Sequence, residues 1–389
     1  MAKKKKVIFL ASFLNVAGAQ EAALRVARGL RARGYDTEVW FLYAEAKPAE
    51  LDPGVRILLD VTKPTPLQYL QIARTLFSGL RRAKPDAVVS FLPLANVLGQ
   101  SLALLAGVRR RIASHRAPYW TCGRLMRPAD SLVGTLGVYT NIIAVADEVR
   151  RSYGQHPARY RRRIDVVHNG IDWTPSTLTK SQARQRFGLP EDRFIAVTLG
   201  RMKPQKNYPF MVKIAGGLDK AMIVAAGDGP LWDQVTALID ETGTQDRMRL
   251  LGAVAKSAIP DLFRAADCFL LASSYEGQSN ALLEAVHDGT PVIVSDRPEQ
   301  RETVVAPDGA LAGIILDLED PALWSRALED LAADPERAQA LGIAAKARAV
   351  TFSLDRQIDG FADVIEGRAP PAVTEPPATE PAGAGHSAA

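Results

Sequence analysis

The feature that most constrains this chain is an alternation of short apolar runs with longer amphipathic segments. Runs such as Val7–Phe13 and Ala87–Phe91 have the length and composition of buried strands. The segments that follow strands have the periodicity of helices, such as Gln20–Arg33, Pro66–Ala83, Ala95–Leu105 and Pro321–Ala333. Because strands that alternate with helices form parallel βαβ units, the sequence predicts an α/β fold with parallel sheets.

The pattern pauses at a polar stretch, Asp172–Thr179, and restarts with the strand Ile195–Gly200. We therefore predict two doubly wound, Rossmann-like domains, an N-terminal one over 1–172 and a C-terminal one over 173–350. A ligand is expected in the cleft between them, at the carboxyl ends of the strands. Residues 368–389 are almost free of large apolar side chains, so we expect a disordered tail there.

The two halves carry opposite charge. Residues 1–172 have 27 Lys and Arg against 13 Asp and Glu, whereas the rest of the chain has 21 against 30. A basic surface attracts anionic lipid, a polyanionic substrate or nucleic acid. No helix-turn-helix, finger or RNA-binding pattern occurs in the sequence, so we expect no nucleic-acid partner.

The N-terminus has two interpretations. Lys3–Lys6, an apolar run and Ala17–Ala19 together imitate a secretory signal peptide. We favour a buried first strand, because Asn15 interrupts the run and an amphipathic helix follows immediately. No stretch of 18 apolar residues is present, which excludes a membrane-spanning helix. Cys122 and Cys268 lack the spacing of a zinc site or a disulfide scaffold, and we expect a reducing, cytoplasmic location.

A glycine turn, Gly227-Asp228-Gly229-Pro230, lies between a predicted strand and a predicted helix. It is not the dinucleotide-binding motif, because position 232 is Trp, and the chain has no phosphate-binding loop of the Walker type. The sequence therefore gives little support for a dinucleotide-dependent oxidoreductase or for a P-loop nucleotide hydrolase. On its own, the turn is weak evidence for any ligand.

Two glutamates, Glu276 and Glu284, have seven residues between them. Ser279 or Asn280 is a suitable N-cap for the helix that carries Glu284. A helix N-terminus that faces a cleft favours an anion. A carboxylate in the first turns of that helix can accept hydrogen bonds from paired hydroxyls, such as those of a ribose.

Two cations, Arg201 and Lys206, follow the strand Ile195–Gly200 in one loop. Cations at the carboxyl end of a strand suit a diphosphate. They can stabilise a departing nucleoside diphosphate without a divalent metal.

With these residues, the second half resembles the retaining GT-B glycosyltransferases of sequence family 4, which use nucleotide-sugars. The matching stretches are Gly200-Arg201 with Lys206-Asn207, Ala226–Pro230, Ala265–Asp267, Ser274–Gly277 with Asn280–Ala285, and Gly289–Ile293. The first half matches more loosely, at Gly18–Glu21, His115, Val145–Val149 and Val167–Asp172.

The resemblance implies the GT-B fold, in which two Rossmann-like domains face each other across a cleft. A C-terminal helix, 351–367, is expected to cross back to the first domain. It also implies that Glu284 holds the ribose and that Arg201 and Lys206 bind the diphosphate. Glu276 and His115 are expected to contact the donor sugar, and these two residues with the two cations form the expected catalytic set. The expected substrate-binding residues are Gly18, Gly229, Gly277, Gln278, Ser279, Asn280, Leu283 and Glu284.

The chain departs from the family pattern at two places. Ala17-Gly18 stands where the family often has a pair of glycines, so the backbone is expected to approach its ligand more tightly there. Gln278 replaces a usual apolar or aromatic residue, which points to an unusual sugar specificity.

The implied reaction transfers a sugar from a nucleotide-sugar to an acceptor with retention at the anomeric carbon. No carboxylate is placed as a nucleophile, so the resemblance favours front-face attack, in which the leaving diphosphate takes the acceptor proton. We expect a UDP-sugar donor, no metal and no resident cofactor. The alternatives are a GT-B epimerase, a phosphorylase and a non-catalytic sugar- or lipid-binding protein. A phosphorylase is disfavoured, because no lysine of this sequence stands out as a site for pyridoxal phosphate.

The acceptor is expected to be lipid-linked. Residues 116–127 interleave arginines with Tyr119, Trp120, Leu125 and Met126, a composition typical of a bilayer interface. The helix Pro66–Ala83 adds apolar and basic side chains, although most of its apolar stripe is expected in the core. We predict peripheral binding to the cytoplasmic membrane face and an acceptor such as an isoprenoid-diphosphate sugar or a glycolipid, used in cell-envelope glycan synthesis.

Overall fold

A computed structural model describes residues 4–14, 18–45 and 54–371. The chain divides into two compact units. Of the described residues, the first unit contains those up to Asp172, the segment Tyr275–Leu283 and those from Thr351 to Pro371. The second unit contains 173–274 and 284–350. The segment Tyr275–Leu283 lies inside the predicted 173–350 range but packs with the first unit. The predicted tail from Ala372 onward, Lys3 and Ala17 lie outside the described residues.

In the first unit, the described residues form one sheet of seven parallel strands, in the order β3-β2-β1-β4-β5-β6-β7. The strands are β1 (Lys6–Leu14), β2 (Asp36–Ala44), β3 (Val55–Ile57), β4 (Ala87–Phe91), β5 (Arg110–His115), β6 (Asn141–Ala144) and β7 (Ile164–Val166). The helices are α1 (Gly18–Ala32), α2 (Pro66–Ala83), α3 (Gln100–Leu105), α4 (Met126–Leu136), α5 (Asp147–Ser152) and α6 (Ala158–Arg161). A π-helical turn, Ala95–Gly99, precedes α3, and a 3₁₀ turn, Tyr119–Thr121, precedes α4.

The local sequence explains these elements. β1 is buried along almost its whole length, which is why it is nearly continuously apolar, as a central parallel strand must be. α2 begins at a capping box, in which Thr65 and Gln68 satisfy each other's backbone N–H groups, with Pro66 as the first helical residue. It ends at Lys84, whose φ of 45° is left-handed. The chain order reverses between β1 and β4, so the carboxyl ends of these strands form a topological switch point.

The described part of the second unit contains a parallel sheet of six strands, in the order β10-β9-β8-β11-β12-β13. The strands are β8 (Phe194–Leu199), β9 (Ala221–Ala226), β10 (Met248–Gly252), β11 (Cys268–Leu271), β12 (Val292–Ser295) and β13 (Ile314–Leu316). The helices are α7 (Lys180–Phe187), α8 (Tyr208–Gly216), α9 (Trp232–Thr242), α10 (Ile259–Ala265), α11 (Asn280–Asp288), α12 (Pro298–Val304), α13 (Pro321–Ala333) and α14 (Pro335–Arg348). The first four residues of α11 belong to the first unit. Its switch point lies between β8 and β11.

The last helix, α15 (Leu354–Glu366), belongs to the first unit. Ser353 caps it, and its buried face adds Ile358, Phe361 and Val364 to the core on one side of the first sheet. The Phe361 ring stacks on that of Phe91 at the end of β4, with 6.2 Å between centroids.

The predicted fold class is confirmed, because both units are parallel, doubly wound, Rossmann-like sheets covered by helices. The predicted helix Ala95–Leu105 begins with the π-helical turn instead of an α-helical one. Within the described residues, no helix combines the length and the apolar character needed to cross a bilayer.

Candidate functional site

Two loops of the second unit pack backbone against backbone where β8 and β9 end. The Met202 N–H donates to the Asp228 carbonyl at 2.9 Å. A Cβ on Gly227, whose φ is 139°, would lie 2.0 Å from the Gly200 oxygen, and one on Gly229 would lie 2.6 Å from the Met202 oxygen. These glycines are therefore required for the two loops to meet. A ligand contact at Gly229 stays a prediction.

The cations Arg201 and Lys206 lie in this same region. Arg201 is exposed, whereas Lys206 ends a short 3₁₀ turn, Pro204–Lys206, and is partly buried. The Lys206 stem runs beside Gly200, where an added Cβ would come within 2.8 Å of Cε. The loop is anchored because the Ser274 N–H donates to the Gln205 carbonyl at 2.8 Å. The structure thus places both cations after β8, beside the switch point, where a diphosphate is expected to bind.

Ser279 caps the N-terminus of α11. Its Oγ accepts from the Leu282 N–H at 3.4 Å, and its carbonyl accepts from the Leu283 N–H at 3.1 Å, so Ser279 is the N-cap. The first turn of α11 carries no acidic residue, so the positive end of the helix dipole is not cancelled locally. Glu284 lies in the second turn and is partly buried, whereas Glu276 is buried in the preceding loop.

Within the first unit, Gly277 lies directly against the backbone of Arg116. A Cβ on Gly277 would lie 1.9 Å from the Arg116 oxygen and 3.3 Å from the Ala117 Cα. No other residue fits at this position without moving one of the two segments. The segment Tyr275–Leu283 is thereby held against the loop that follows β5.

Asn169, which follows β7, connects several elements of the first unit. Its backbone N–H donates to Gln278 Oε1 at 2.6 Å, and its Nδ2 donates to Asn280 Oδ1 at 3.1 Å. Its Oδ1 accepts from Arg116 Nη2 and from Gln357 Nε2. Asn169 was not among the predicted site residues, although it lies in Val167–Asp172, one of the family-like stretches. A buried residue whose side-chain amide bonds three other side chains, and whose backbone N–H bonds a fourth, is visible only in the fold.

Arg116 was also missed by the sequence analysis as a site residue. Its guanidinium lies over the Phe91 ring, with 5.8 Å from Cζ to the centroid. Burial, and then the positive charge of Arg25 on α1, lower its pKa to about 9. The sequence signal was a lone cation directly after the strand that contains His115. The structure therefore has a partly buried cation at the carboxyl end of β5.

His115 lies in a buried aromatic cluster. Its ring stacks on Tyr153 at 4.3 Å between centroids, and its Nε2 lies 2.8 Å from the Tyr160 hydroxyl oxygen. The single Tyr160 proton is donated to Asp130 at 2.5 Å, and Tyr139 donates to the other oxygen of that carboxylate. Nε2 of His115 must therefore carry a hydrogen and donate to Tyr160. Burial lowers the pKa of His115, so the imidazole is held neutral. A contact of His115 with sugar stays a prediction.

The predicted site residues fall into two groups. In the first unit, Gln278 and Asn280 share the partner Asn169, and a Cβ on Gly18 would lie 3.3 Å from Asn280 Nδ2. In the second unit, Arg201 and Lys206 lie in one loop after β8. Leu283 is fully buried, so its side chain belongs to the packing of α11.

Two protein-family models match the chain. The model described as Glycosyltransferase Family 4 matches residues 16–175, and the model described as Glycosyl transferases group 1 matches residues 179–348. The boundary between the two matches falls in the polar stretch at which the strand-helix pattern pauses. Together they cover every strand of the two sheets except β1, Lys6–Leu14.

Similar curated proteins include two D-inositol 3-phosphate glycosyltransferases. That of Salinispora arenicola (strain CNS-205) is 31% identical over 222 residues, which are 52% of this chain and 49% of the relative. That of Mycolicibacterium smegmatis is 32% identical over 213 residues, 52% of this chain and 46% of the relative. The chain thus spans about half the length of the curated relatives it matches.

Solved structures share the fold over almost the whole chain. Anabaena Alr3699/HepE, solved in complex with UDP and glucose, has a TM-score of 0.80 at 18% identity and covers 93% of this chain and 100% of its own. A glycosyltransferase from Rickettsia africae ESF-5 has a TM-score of 0.74 at 16% identity, with 94% and 99% covered. At these identities the likeness shows the architecture.

Proposed function

Since the chain belongs to the GT-B glycosyltransferases of family 4, the glycosyl transferases group 1, we propose that it transfers a sugar from a nucleotide-sugar to an acceptor. One observation carries the proposal. The part that matches the group 1 model contains a loop with two cations, Arg201 and Lys206, beside the switch point of the second sheet. Such a loop has the charge and position to bind the diphosphate of a donor.

We propose UDP as the donor nucleotide. Support comes from the Anabaena protein of the same fold, whose structure was solved with UDP and glucose. Glu284, on the second turn of α11, is the carboxylate assigned to the ribose, and Glu276 is assigned to hydroxyls of the sugar. Neither role requires a metal, because both are hydrogen bonds to hydroxyl groups.

The proposed reaction retains the configuration of the anomeric carbon. The bond from that carbon to the diphosphate oxygen breaks, and a bond to the acceptor oxygen forms on the same face. The acceptor proton passes to the departing phosphate oxygen, so that atoms and charge balance. Arg201 and Lys206 stabilise the negative charge that develops on the leaving group. The chain otherwise positions the two reactants.

A donor screen tests this proposal. Purified protein is incubated with UDP-, GDP- and ADP-sugars, and release of the nucleoside diphosphate is measured with and without EDTA. Arg201→Ala and Lys206→Ala are each expected to lower kcat/KM by about 10²-fold. Lys203→Ala is the matched control, because Lys203 is an exposed cation of the same loop. Full activity of both variants, or loss of all wild-type activity in EDTA, would contradict the proposal.

We also propose that the first unit binds an anionic membrane surface and takes a lipid-linked acceptor. Support comes from apolar side chains that the fold leaves outside. Trp120 is 48% exposed and Leu125 is 82% exposed, and both lie among arginines. On α2, Leu67 and Leu70 are exposed, whereas Leu80 is buried in the core. Exposed apolar groups with nearby cations suit a bilayer interface.

Vesicle co-sedimentation tests the membrane proposal. Wild-type protein is expected to bind anionic vesicles more strongly than neutral ones at low salt, and the double variant Trp120→Ala with Leu125→Ala is expected to bind less. Ile343→Ala is the control, because Ile343 is 65% exposed but lies on α14 of the second unit. Equal binding to both vesicle types would refute membrane binding. Transfer to a small soluble acceptor, with none to any lipid extract, would refute the lipid-linked acceptor.

A further inference from the structure

We propose that the amino edge of the first sheet, where its strands begin, carries a second anion-binding site that takes a multiply phosphorylated group. The site is an open cavity of about 590 Å³ within the first unit. Ligand pockets in proteins have volumes of this order. The inference does not depend on the proposed function, because it concerns the end of the sheet opposite to the predicted catalytic residues.

The strand register places the cavity at this edge. Lys6 at the start of β1 is level with Asp36 at the start of β2, and Val7 is level with Ala87 at the start of β4. β1 has nine residues, and at about 3.3 Å per residue its two ends lie roughly 26 Å apart. Since a doubly wound sheet binds its substrates at the carboxyl ends of the strands, a ligand at the amino edge is an additional one.

The cavity receives cations from both faces of the sheet. Helix α1 packs in the same core cluster as Phe9, whereas α2 packs in the cluster of Leu10, the next residue of β1, so the two helices cover opposite faces. Both helices end at the amino edge, because a crossover helix returns the chain to the start of the next parallel strand. With the start of β1, they line the cavity with five cations, Lys4, Lys6, Arg31, Arg82 and Lys84.

The two carboxylates that line the cavity, Asp36 and Asp86, are both held by Lys6. The Lys6 backbone N–H donates to Asp86 Oδ2 at 2.8 Å. The Lys6 Nζ lies 3.8 Å from Asp36 Oδ2 and 2.8 Å from Glu38 Oε1. These carboxylates therefore neutralise one of the five cations and leave the others with their charge.

Three of the remaining cations have no ionic partner. Within the described part of the chain, no carboxylate oxygen comes within 4.0 Å of the charged nitrogens of Lys4, Arg82 or Lys84. All three residues are exposed. Arg82 in the last turn of α2 and Lys84 at its C-cap also complement the helix dipole. That role does not explain why they converge with Lys4, which belongs to no helix, on one cavity.

The charges define the class of ligand. A concave surface lined by cations concentrates anions, and several cations around one cavity favour an anion with several charges. Guanidinium groups bind phosphate oxygens in pairs, and lysines bind them as point charges. A second cavity, of about 490 Å³, shares Lys84 with the first and adds Arg81 and Arg109, so the basic surface continues along the edge. The ligand is then a group with two or more phosphates, either a free oligophosphate or the headgroup of a phosphorylated lipid.

Calorimetric titration of inorganic tripolyphosphate tests the site. Every protein used carries Arg201→Ala and Lys206→Ala, so that the predicted diphosphate loop cannot account for binding. The cavity variant adds Arg82→Gln with Lys84→Gln, and we expect it to bind tripolyphosphate about 10-fold or more weakly than its parent, with an unchanged Tm because both side chains are exposed.

The control variant adds Arg159→Gln with Arg162→Gln to the same parent. Both arginines are exposed in the first unit and neither lines the cavity, so the control loses the same net charge. Its affinity for tripolyphosphate is expected to equal that of the parent. Tripolyphosphate binding that is undetectable in the parent, or equal in the cavity and control variants, would overturn the proposal.

Vesicle co-sedimentation identifies the source of the phosphate groups. The vesicles contain phosphatidylcholine with phosphatidic acid, whose headgroup is a phosphate monoester, or phosphatidylcholine alone. If the cavity variant has lost tripolyphosphate affinity, weaker sedimentation with phosphatidic acid than the control variant would support the site and assign it to a lipid headgroup. Equal sedimentation of the two variants would support the site and assign it to a free phosphorylated ligand. Neither measurement involves turnover, so failure of the proposed reaction would leave this result intact.

Discussion

Replacing Gly277 with alanine should separate two backbone segments that the activity requires together. The added Cβ would lie 1.9 Å from the Arg116 oxygen, whereas real Cβ atoms are essentially never closer than 3.0 Å to another heavy atom. The obstacle is backbone and not the flexible end of a side chain. One of the two segments must therefore shift by at least 1.1 Å.

The size of the effect follows from what flanks Gly277. Glu276 and Gln278 move with it, and α11 starts three residues later. A misplacement of about 1 Å of groups that position a substrate can cost about 10²-fold in rate. Steric overpacking in a well-packed region costs about 1–3 kcal/mol in stability. We expect a loss of kcat/KM of about 10²-fold with a modest fall in Tm.

The assay compares kcat/KM and Tm of wild type, Gly277→Ala and Gly123→Ala. Gly123 is the matched control, because nothing lies within 4 Å of a Cβ placed there. The control is expected to behave like wild type in both measurements. Wild-type kcat/KM and Tm in Gly277→Ala would show that the contact between Gly277 and Arg116 does not exist in solution.

Three further predictions concern the carboxylates and the aromatic cluster. Glu284→Ala should raise KM for the donor, because the ribose contact is made before and during the reaction, whereas Glu276→Ala should mainly lower kcat. Glu241→Ala is the control, because Glu241 is exposed on α9. Equal effects of the two variants on KM and kcat would contradict the separate roles. Tyr160→Phe should lower the free energy of unfolding in urea by about 1–3 kcal/mol, because it leaves the buried His115 N–H without an acceptor; an unchanged midpoint would contradict the hydrogen-bond assignment. The free energy of unfolding should fall as the pH drops below about 6.5, because burial lowers the pKa of His115 and the unfolded chain therefore takes up the proton first. His115→Gln should reduce this fall.

The fold was largely predictable because the alternation of apolar runs with amphipathic segments can be recognised in a single sequence. The predicted Pro66–Ala83 and Pro321–Ala333 match the observed helices at both ends, since a proline marks each start. Helices α7 and α14 were not predicted. α7 buries little more than Ala183 and the Arg184 side chain, so it has no apolar stripe, and its signals were the Thr179–Gln182 capping box and Gly188. α14 is rich in alanine, and its amphipathic character is weak.

The candidate site was predictable only where a motif is local in sequence. The stretch from Glu276 to Glu284 could be found because its glutamates, glycine and N-cap are contiguous. Arg116 and Asn169 could not, because their importance depends on contacts with residues more than fifty positions away. The assignment of Tyr275–Leu283 to the first unit is also a product of packing, since no composition change marks its limits.

The choice of an amide at position 169 has an electrostatic consequence. An aspartate there could accept from Arg116 and Gln357 in the same way, but its charge would neutralise the guanidinium and leave little attraction for a ligand. Asparagine also donates, and its Nδ2 and backbone N–H orient Asn280 and Gln278. The same residue thus fixes the geometry of the first-unit group while preserving the positive charge on Arg116.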